Sequence, residues 1–422
     1  MQRRLFTAAL ACFFAASCSS SSDAPAPPGG PVTGGPGGGG PSLTTDSLDS
    51  LVLDADGIVD LTPDVIGEFR TVFDRYAAVE LPQGRLHVLI QPGVPVAKVR
   101  RAREILRQHL TDLPGGSSKA DVAQAMVDRS AVLGIFTDTA AVDMTNPDVE
   151  AVISGMSTSL VPLPASHIVI EGSAEYMQVA PDIDLTFGAT AVLVQQAGLA
   201  VARPGFAGQI DDLAAAAVAA GQFTAPADLP AQAVPSAFLA MVMDVHSDVY
   251  AHDPNGDGTA AIAGASYDFH TREDLLSGDP ALGTWINAFF SGDHTFEAEL
   301  PADFTGNFDC LRRGANPYTA RSQHLRSVRL TGTNAAEIFA APFDVTLIGN
   351  DGNNNLKGRA GDDTLIGGLG FDTAVFSFPM ANYEVRFEGD TVIVEDVFGG
   401  HEGTDTLQGM QRLQFSDQGI NL

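Results

Sequence analysis

An apolar residue recurs at every ninth position near the carboxyl end of this chain, and this period limits the fold more than any other feature. It falls at Ile338, Leu347, Leu356, Leu365 and Ala374, and glycines with acidic or amide residues fill the later intervals. Glycines adopt positive φ, so six residues form a tight turn with inward carbonyls, and three residues then form a strand. The period therefore predicts a short parallel β-roll with one apolar residue of each strand between two sheets.

The intervals GNDGNNNLK, GRAGDDTLI and GGLGFDTAV approximate the nonapeptide G-G-x-G-x-D-x-U-x, where U is a large apolar residue. The segment therefore resembles the repeat-in-toxin (RTX) family of calcium-binding β-rolls. This resemblance implies Ca²⁺ as the cofactor, held by carbonyl and carboxylate oxygens, and folding coupled to ion binding. The ligand-bearing residues it implies are Gly349, Asp351, Asn354, Gly358, Ala360, Asp363, Gly367, Gly368, Gly370 and Asp372.

The three turns match the nonapeptide unequally. The turn 367–372 is complete, whereas Arg359 replaces a glycine in the turn before it and Asn354 replaces the aspartate in the first. Turns on one side of a roll are two repeats apart, so 349–354 should face 367–372 and form one calcium site. The turn 358–363 is a second, weaker candidate. The alternative is a β-roll that binds no ion.

The amino terminus has the pattern of an export signal. Arg3 and Arg4 precede the run LFTAALACFFAA, which is apolar but too short to span a bilayer. The run ends in AASC, which resembles a bacterial lipobox with Cys18 as the lipidated residue. We therefore expect an outer-membrane or cell-surface lipoprotein, with plain secretion as the alternative. Residues 19–44 are rich in Ser, Pro and Gly and predict a flexible tether.

Charge and cysteine content limit the partners. The chain has 52 Asp and Glu against 23 Lys and Arg, a formal net charge of −29. Such acidity disfavours nucleic acid, so the expected partners are calcium ions and, through the lipid anchor, a membrane. Cys310 is the single thiol beyond the signal segment, so no internal disulfide is expected.

The central block has mainly helical patterns with a few strands. Amphipathic or apolar helical spacing covers 94–113, 117–136, 185–202, 210–223 and 236–252. The runs LHVLIQ and SHIVIEG predict strands. Arg100, Arg101, Arg103 and Arg107 form a basic helix face that should pair with carboxylates of the same chain.

The predicted fold class is a multidomain chain: a mainly helical α+β central domain, a short parallel β-roll and a β-rich carboxyl-terminal cap. The cap should cover the open end of the roll. The predicted boundaries are 1–18 for the signal, 19–44 for the tether, 45–328 for the central domain, 329–378 for the roll and 379–422 for the cap.

A second calcium-binding pattern lies in the central block. Asp253, Asn255 and Asp257 match the start of an EF-hand-like loop, in which alternate side chains face one ion. The twelfth position should be a bidentate Glu, but it is Gly264. The alternative is a polar turn after a helix.

The sequence shows no catalytic motif of the metalloprotease, serine hydrolase, nucleotide-binding or C-x-x-C type. We therefore predict a central domain that binds a partner or surface rather than an enzyme. The alternative is a secreted, peptidase-like hydrolase, because RTX tails often follow catalytic domains.

Asp184, Phe187 and Gly198 lie along one helix, and the runs YDFHTREDLLSGDP and NPYTARSQHLRSVRLTG follow. These features resemble an exported bacterial domain that precedes similar RTX tails and has histidines on that helix, which implies a metal site. Val192 and Gln195 stand at the histidine positions here, so we expect such a site to be lost and a catalytic domain to be degenerate.

Overall fold

A five-stranded mixed sheet begins the fold in this computed structural model, which describes residues 43–156, 159–177, 184–227, 229–249, 265–314 and 316–422. The spatial order of its strands follows the chain: β1 (Ile58–Asp60), β2 (Arg75–Leu81), β3 (Gly84–Ile90), β4 (Val132–Phe136) and β5 (Leu160–Pro164). Strands β1 to β3 are antiparallel, and β3 to β5 are parallel.

The two faces of this sheet belong to different cores. Leu89 of β3 packs in the core that contains Phe69, whereas its neighbour Val88 packs in the core that contains Val99. Every residue of β4 and β5 is buried, which explains their continuous apolar sequences. A small antiparallel pair, β6 (Phe223–Thr224) and β7 (Ser266–Tyr267), lies among the helices.

Helices dominate the central block. The α-helices are Asp46–Asp49, Gly67–Val72, Val96–Leu110, Ala120–Asp128, Pro147–Gly155, Ala174–Met177, Thr186–Leu193, Ala200–Ala202, Pro204–Ala207, Gln209–Ala219, Val234–His246, Arg272–Gly278, Pro280–Asn287 and Thr319–Ser322. A π-helical turn, Val194–Leu199, joins two of them, and single 3₁₀ turns occur at Thr139–Ala141, Ala165–His167, Ala231–Ala233 and Met380–Asn382. None of the helices within the described ranges is both long and apolar enough to cross a membrane.

Two local predictions for the central block are wrong. The pattern over 117–136 predicts one helix, but the helix ends at Asp128 and β4 follows a left-handed Ser130 with φ of 53°. The predicted strand SHIVIEG starts in a 3₁₀ turn, and the strand lies just before it, in LVPLP. Proline is disfavoured in central strands because it has no backbone N–H. Pro162 and Pro164 lie two residues apart on an edge strand, so the positions without an N–H both face the unpaired side of that strand.

Residues 294–414, which we call the coil, alternate between two further sheets. The strands of these two sheets are β8 (His294–Leu300), β9 (Gly306–Asp309), β10 (Leu325–Leu330), β11 (Ala336–Phe339), β12 (Thr346–Ile348), β13 (Asn355–Lys357), β14 (Thr364–Ile366), β15 (Thr373–Val375), β16 (Tyr383–Glu388), β17 (Thr391–Asp396), β18 (Thr404–Gln408), β19 (Arg412–Gln414) and β20 (Gly419–Asn421). One sheet has the order β16-β17-β18-β14-β12-β10-β8, and the other has the order β20-β19-β15-β13-β11-β9.

Parallel pairing two strands apart along the chain builds the coil, as the nine-residue period predicts. Leu347 aligns with Leu365, and Leu356 aligns with Ala374, and all four side chains are fully buried between the sheets. The pairing begins at β8 and β9 and continues through β18 and β19. The hairpin β16–β17 and strand β20 add antiparallel strands at the far end.

The coil starts on the central block. The Gln108 side chain accepts hydrogen bonds from the backbone N–H groups of Thr295 (2.7 Å) and Phe296 (3.3 Å) in β8. Arg100 also pairs with Glu299 of that strand at 3.2 Å. One hydrophobic core runs from the helices into the coil, so the first strands are covered by packed protein.

Candidate metal centre

The turns between the two sheets of the coil stack in two columns. Column A contains the turns that leave the seven-stranded sheet, among them 349–354, 367–372 and 409–411. Column B contains the turns that return to it, among them 340–345 and 358–363. Each predicted calcium turn therefore has neighbours above and below it in its own column.

In column A the structure brings 349–354 and 367–372 together. The N–H of Asn354 donates to Oδ1 of Asp372 at 2.8 Å, and the N–H of Gly349 donates to the Ile366 carbonyl at 2.7 Å. A Cβ at Gly349 would collide with the Gly367 carbonyl oxygen. Glycine is thus required where carbonyl oxygens and side-chain oxygens converge.

The Asp372 carboxylate is the feature of column A that best suits a cation. Asp372 is 0% exposed, and its Oδ2 has no hydrogen-bond partner. Burial raises the pKa of this carboxyl group. Asn354 is equally buried, and its Oδ1 accepts the Asn350 N–H at 2.8 Å. A buried oxygen without a donor is costly, and Ca²⁺ prefers such oxygen ligands, so the residues fit this ion.

The other predicted residues of column A divide into two groups. Gly368 and Gly370 have φ of 101° and 99°, and a Cβ on either would collide with the carbonyl oxygens of Asn350 or Gly352 in the turn below. These glycines therefore let two layers of carbonyls approach each other. Asp351 is exposed, so its carboxylate lies outside this buried cluster.

Column B holds Gly358, Ala360 and Asp363 in one turn. Asp363 is 1% exposed; its Oδ1 accepts the Val345 N–H at 2.9 Å, and its Oδ2 has no partner. A Cβ at Gly358 would collide with that free oxygen. Burial raises the pKa of Asp363 to about 7. Ala360 is partly exposed in the same turn.

Arg359 has a different role from the glycine it replaces. It adopts a left-handed φ of 71°, and its guanidinium leaves its own turn to donate to Asp309 Oδ1 at 2.8 Å and to the Ala340 carbonyl. Burial alone would raise the pKa of Asp309, but hydrogen bonds led by that from Arg359 hold it below its usual value. Arg359 thus links three successive strand ends of the six-stranded sheet.

Sequence reasoning missed the turn that stacks on 358–363. This turn is 400–405, in the run GHEGTDTLQ, and the N–H of Asp363 donates to Asp405 Oδ1 at 3.1 Å. The run follows the nonapeptide with His401 in place of its second glycine, and this was the available signal. It falls outside the nine-residue phase of the earlier apolar positions because the β16–β17 hairpin intervenes.

Neither Cys18 nor the predicted EF-hand-like loop of Asp253, Asn255 and Asp257 lies among the described residues. The helix before that loop ends at His246. Across the described ranges, no three or more His, Cys, Asp or Glu side chains assemble into a metal-binding group. An ion in either column therefore needs backbone carbonyl oxygens in addition to carboxylates.

Comparison with known proteins agrees with the coil geometry. The family model of the RTX calcium-binding nonapeptide repeat matches residues 346–374, in four copies. Residues 346–374 are RTX repeats. These repeats bind Ca²⁺, so calcium is the cofactor of this chain, as predicted.

Similarity outside the RTX repeats is limited. No curated protein matches the chain. Among solved structures, the extracellular lipase LipA from Serratia marcescens matches with 24% identity and a TM-score of 0.11. The match covers 19% of this chain and only 14% of the lipase. The likeness is too partial to bear on the activity of the central block.

The basic helix face of the central block pairs with carboxylates, as predicted. Arg101 is buried and contacts Glu171 at 2.9 Å and Asp184 at 2.8 Å. Arg103 and Arg107 both pair with Glu104 at the surface. Arg101 therefore binds the helix to neighbouring segments, whereas Arg103 and Arg107 pair with Glu104 of the same helix.

A cavity of about 510 Å³ opens beside this basic face. None of its lining residues carries a hydroxyl, thiol or imidazole group: Ala55, Asp56, Ala97, Arg100, Arg101, Arg103, Glu104, Ile170, Glu171, Glu297 and Glu299. On the helix suggested for a degenerate metal site, Val192 is fully buried, and Gln195 donates to the Ala207 carbonyl at 2.9 Å. Val192 is therefore part of the packed core, and Gln195 is engaged in a hydrogen bond.

Proposed function

We propose that this chain is an exported, lipid-anchored calcium-binding protein whose coil becomes rigid when Ca²⁺ binds between stacked turns. The observation that carries the proposal is the buried Asp372 carboxylate, which has one bonded and one unpartnered oxygen between two turns. Ion binding to such a site supplies folding free energy, because the unfolded chain has no preformed site. In this proposal the central block binds a partner or a surface.

Calcium supply would decide when the coil folds. Without an ion, Asp372 Oδ2 is buried without a hydrogen-bond partner and the converging carbonyls repel one another. The cytoplasm contains little free calcium, whereas extracellular fluid contains much more. The RTX repeats therefore remain loose during synthesis and become rigid after export. Asp372, Asn354 and the carbonyl groups of the facing glycine turns hold the ion.

The test is a calcium titration of the full chain, followed by calorimetry and far-UV circular dichroism. We expect heat of binding and a rise in β signal with Ca²⁺, and little response to Mg²⁺, which requires a smaller octahedral site. Asp372→Asn should weaken binding at least about tenfold, because it removes the charge but keeps an acceptor for Asn354. Asp390→Asn, in the exposed tip of the β16–β17 hairpin, is the matched control. A wild-type chain without heat or spectral change contradicts the proposal.

The proposed anchor rests on the sequence AASC and on the low-complexity residues 19–44. Cys18→Ser should release the protein from the membrane fraction and abolish metabolic labelling with a fatty-acid analogue. Cys12→Ser, inside the apolar run, is the control that should retain both properties. A wild-type chain that is soluble and unlabelled would restrict the proposal to a secreted protein.

A further inference from the structure

We propose that residues 400–405 complete a second calcium site with residues 358–363, and that this site binds the ion more tightly than the one in column A. The chain thus contains one more functional repeat, placed after an inserted hairpin and outside the matched RTX repeats. The inference rests on the proposed function, because both sites take the same ion.

The backbone places residues 404–408 in the position of the next repeat. Strand β18 pairs with β14 in parallel, with Leu407 aligned to Leu365 and Thr406 aligned to Thr364. This alignment repeats the pairing of β14 with β12, and Leu407 is fully buried like the earlier apolar residues. The coil therefore continues through β18 as though no insertion were present.

The hairpin β16–β17 is inserted at the corner without disturbing the stack. Strand β17 pairs with the outer edge of β18 in antiparallel orientation, so the hairpin extends the sheet sideways. Glu402 closes the insertion, because it accepts the Ser377 N–H at 3.0 Å and a hydrogen bond from the Tyr383 hydroxyl. The segment that leaves the coil is thus tied to the segment that returns, and the Glu402 carboxylate is used in this contact.

Two aspartates face each other between the turns. The N–H of Asp363 donates to Asp405 Oδ1, which is the same relation that joins Asn354 to Asp372 in column A. Asp363 and Asp405 are 1% and 2% exposed, and Oδ2 of Asp363 is buried without a partner. Two carboxylates buried side by side are unfavourable, and a divalent ion between them relieves this cost.

Backbone oxygens are close enough to complete the ligand set. Gly403 has φ of 71°, and a Cβ there would collide with the Gly361 carbonyl oxygen and approach the Asp362 carboxylate. The two turns are therefore in direct contact through a glycine, as in column A. Column B offers two carboxylates where column A offers one carboxylate and one amide. Because ligand charge raises calcium affinity, column B is the tighter site.

The experiment compares calcium binding by the full wild-type chain with that of Asp405→Asn, Asp372→Asn and the control Asp390→Asn. Calorimetry should show two classes of ion in the wild type and in the control. Asp405→Asn should abolish the tighter class, and Asp372→Asn should weaken only the other. Wild-type binding by Asp405→Asn overturns the inference. If the wild type binds a single ion and only Asp372→Asn loses it, the inference is overturned but the proposed function stands. If the wild type binds no calcium, both the inference and the proposed function are contradicted.

A thermal melt separates ion binding from a merely structural role of Asp405. Asparagine keeps an oxygen for the Asp363 N–H and removes the repulsion between the two carboxylates. In chelator, Asp405→Asn should therefore melt at the wild-type temperature or above it, and its gain on adding calcium should be smaller. A lower melting temperature in chelator together with an unchanged calcium gain would show that Asp405 acts only through packing, and would overturn the inference.

Discussion

The two steps of column B hold their turns together by different means. Between 340–345 and 358–363 the cation belongs to the chain, because the Arg359 guanidinium contacts Asp309 and the Ala340 carbonyl. Between 358–363 and 400–405 two buried aspartates meet, and the backbone N–H of Asp363 donates to Asp405 Oδ1. The same corner of the coil can thus be closed by a cation of the chain itself or, as we propose, by a diffusible one.

This difference divides the coil into an early and a late part. The early strands, β8 to β11, dock on the central block through Gln108 and carry a cross-strand ion pair between Arg329 and Glu297 at 2.5 Å. The late strands, β14, β15, β18 and β19, flank the turns that contain Asp363 and Asp372. We therefore expect protein contacts to stabilise the early part at any calcium concentration and the late part to depend on the ion.

Removal of calcium by a chelator should have the largest effect on the difference between the early and late parts of the coil. Hydrogen exchange of the full chain in chelator should be at least about tenfold faster in β14, β15, β18 and β19 than with calcium, because those turns lose the ion that offsets their buried charge. Exchange in β8 and β10 should change little. Equal loss of protection in both parts would show that calcium holds the whole coil.

Arg359→Gly should have a smaller effect and should act on the early part. It leaves Asp309 without one of its donors, a loss of about 1–3 kcal/mol, while relief of the left-handed backbone returns about 1–2 kcal/mol. Urea unfolding in chelator should therefore show a small net destabilisation. Arg359→Lys keeps the positive charge and the left-handed backbone, but it loses the planar guanidinium. This variant should therefore be at least as unstable as Arg359→Gly. A glycine variant more stable than wild type would show that the guanidinium contributes little.

Acid should produce the smallest effect, and calcium should not protect against it. His294 of β8 is 3% exposed, its Nε2 has no partner, and burial lowers its pKa well below the usual value. The unfolded chain binds the proton near pH 6.5, so stability is complete above that pH and falls as the pH decreases. Between pH 7.5 and 6.0 this histidine should account for a loss on the order of 1 kcal/mol.

The measurement is urea unfolding at both pH values with saturating calcium. His294→Gln should show a shallower dependence on pH than wild type by that amount. Burial also lowers the pKa of His109 and of His246 to about 3, so part of the dependence should remain in this variant. An identical dependence in both proteins would mean that His294 titrates normally in the folded state.

Local repetition made the coil more predictable than the central block. The nine-residue period placed strands β11 to β15, because each repeat contains its own glycine turn and buried apolar residue. It did not extend to β18, since the inserted hairpin shifts the phase although Leu407 is buried like Leu365. The strand with Pro162 and Pro164 was not predictable from propensity, because its acceptability depends on its place at a sheet edge.

The candidate site divides in the same way. The sequence indicated Asp363 and Asp372, and the structure adds their unpartnered oxygens. It gave no indication that Arg359 reaches Asp309, because these residues are 50 positions apart and meet only when the strands stack. Contacts of that kind depend on tertiary structure, and a local pattern contains no information about them.

The hairpin at the corner also bears on the order in which the coil assembles. Column A joins residues 18 positions apart, and the upper step of column B joins residues 42 positions apart. Loop-closure entropy grows by only about 0.6 kcal/mol per doubling of loop length, so the insertion slows closure without preventing it. We therefore expect strand addition to proceed outward from the central block, with β18 joining after β14. A corner whose ends are tied by Glu402 could accept other inserted segments at a similarly small entropic cost.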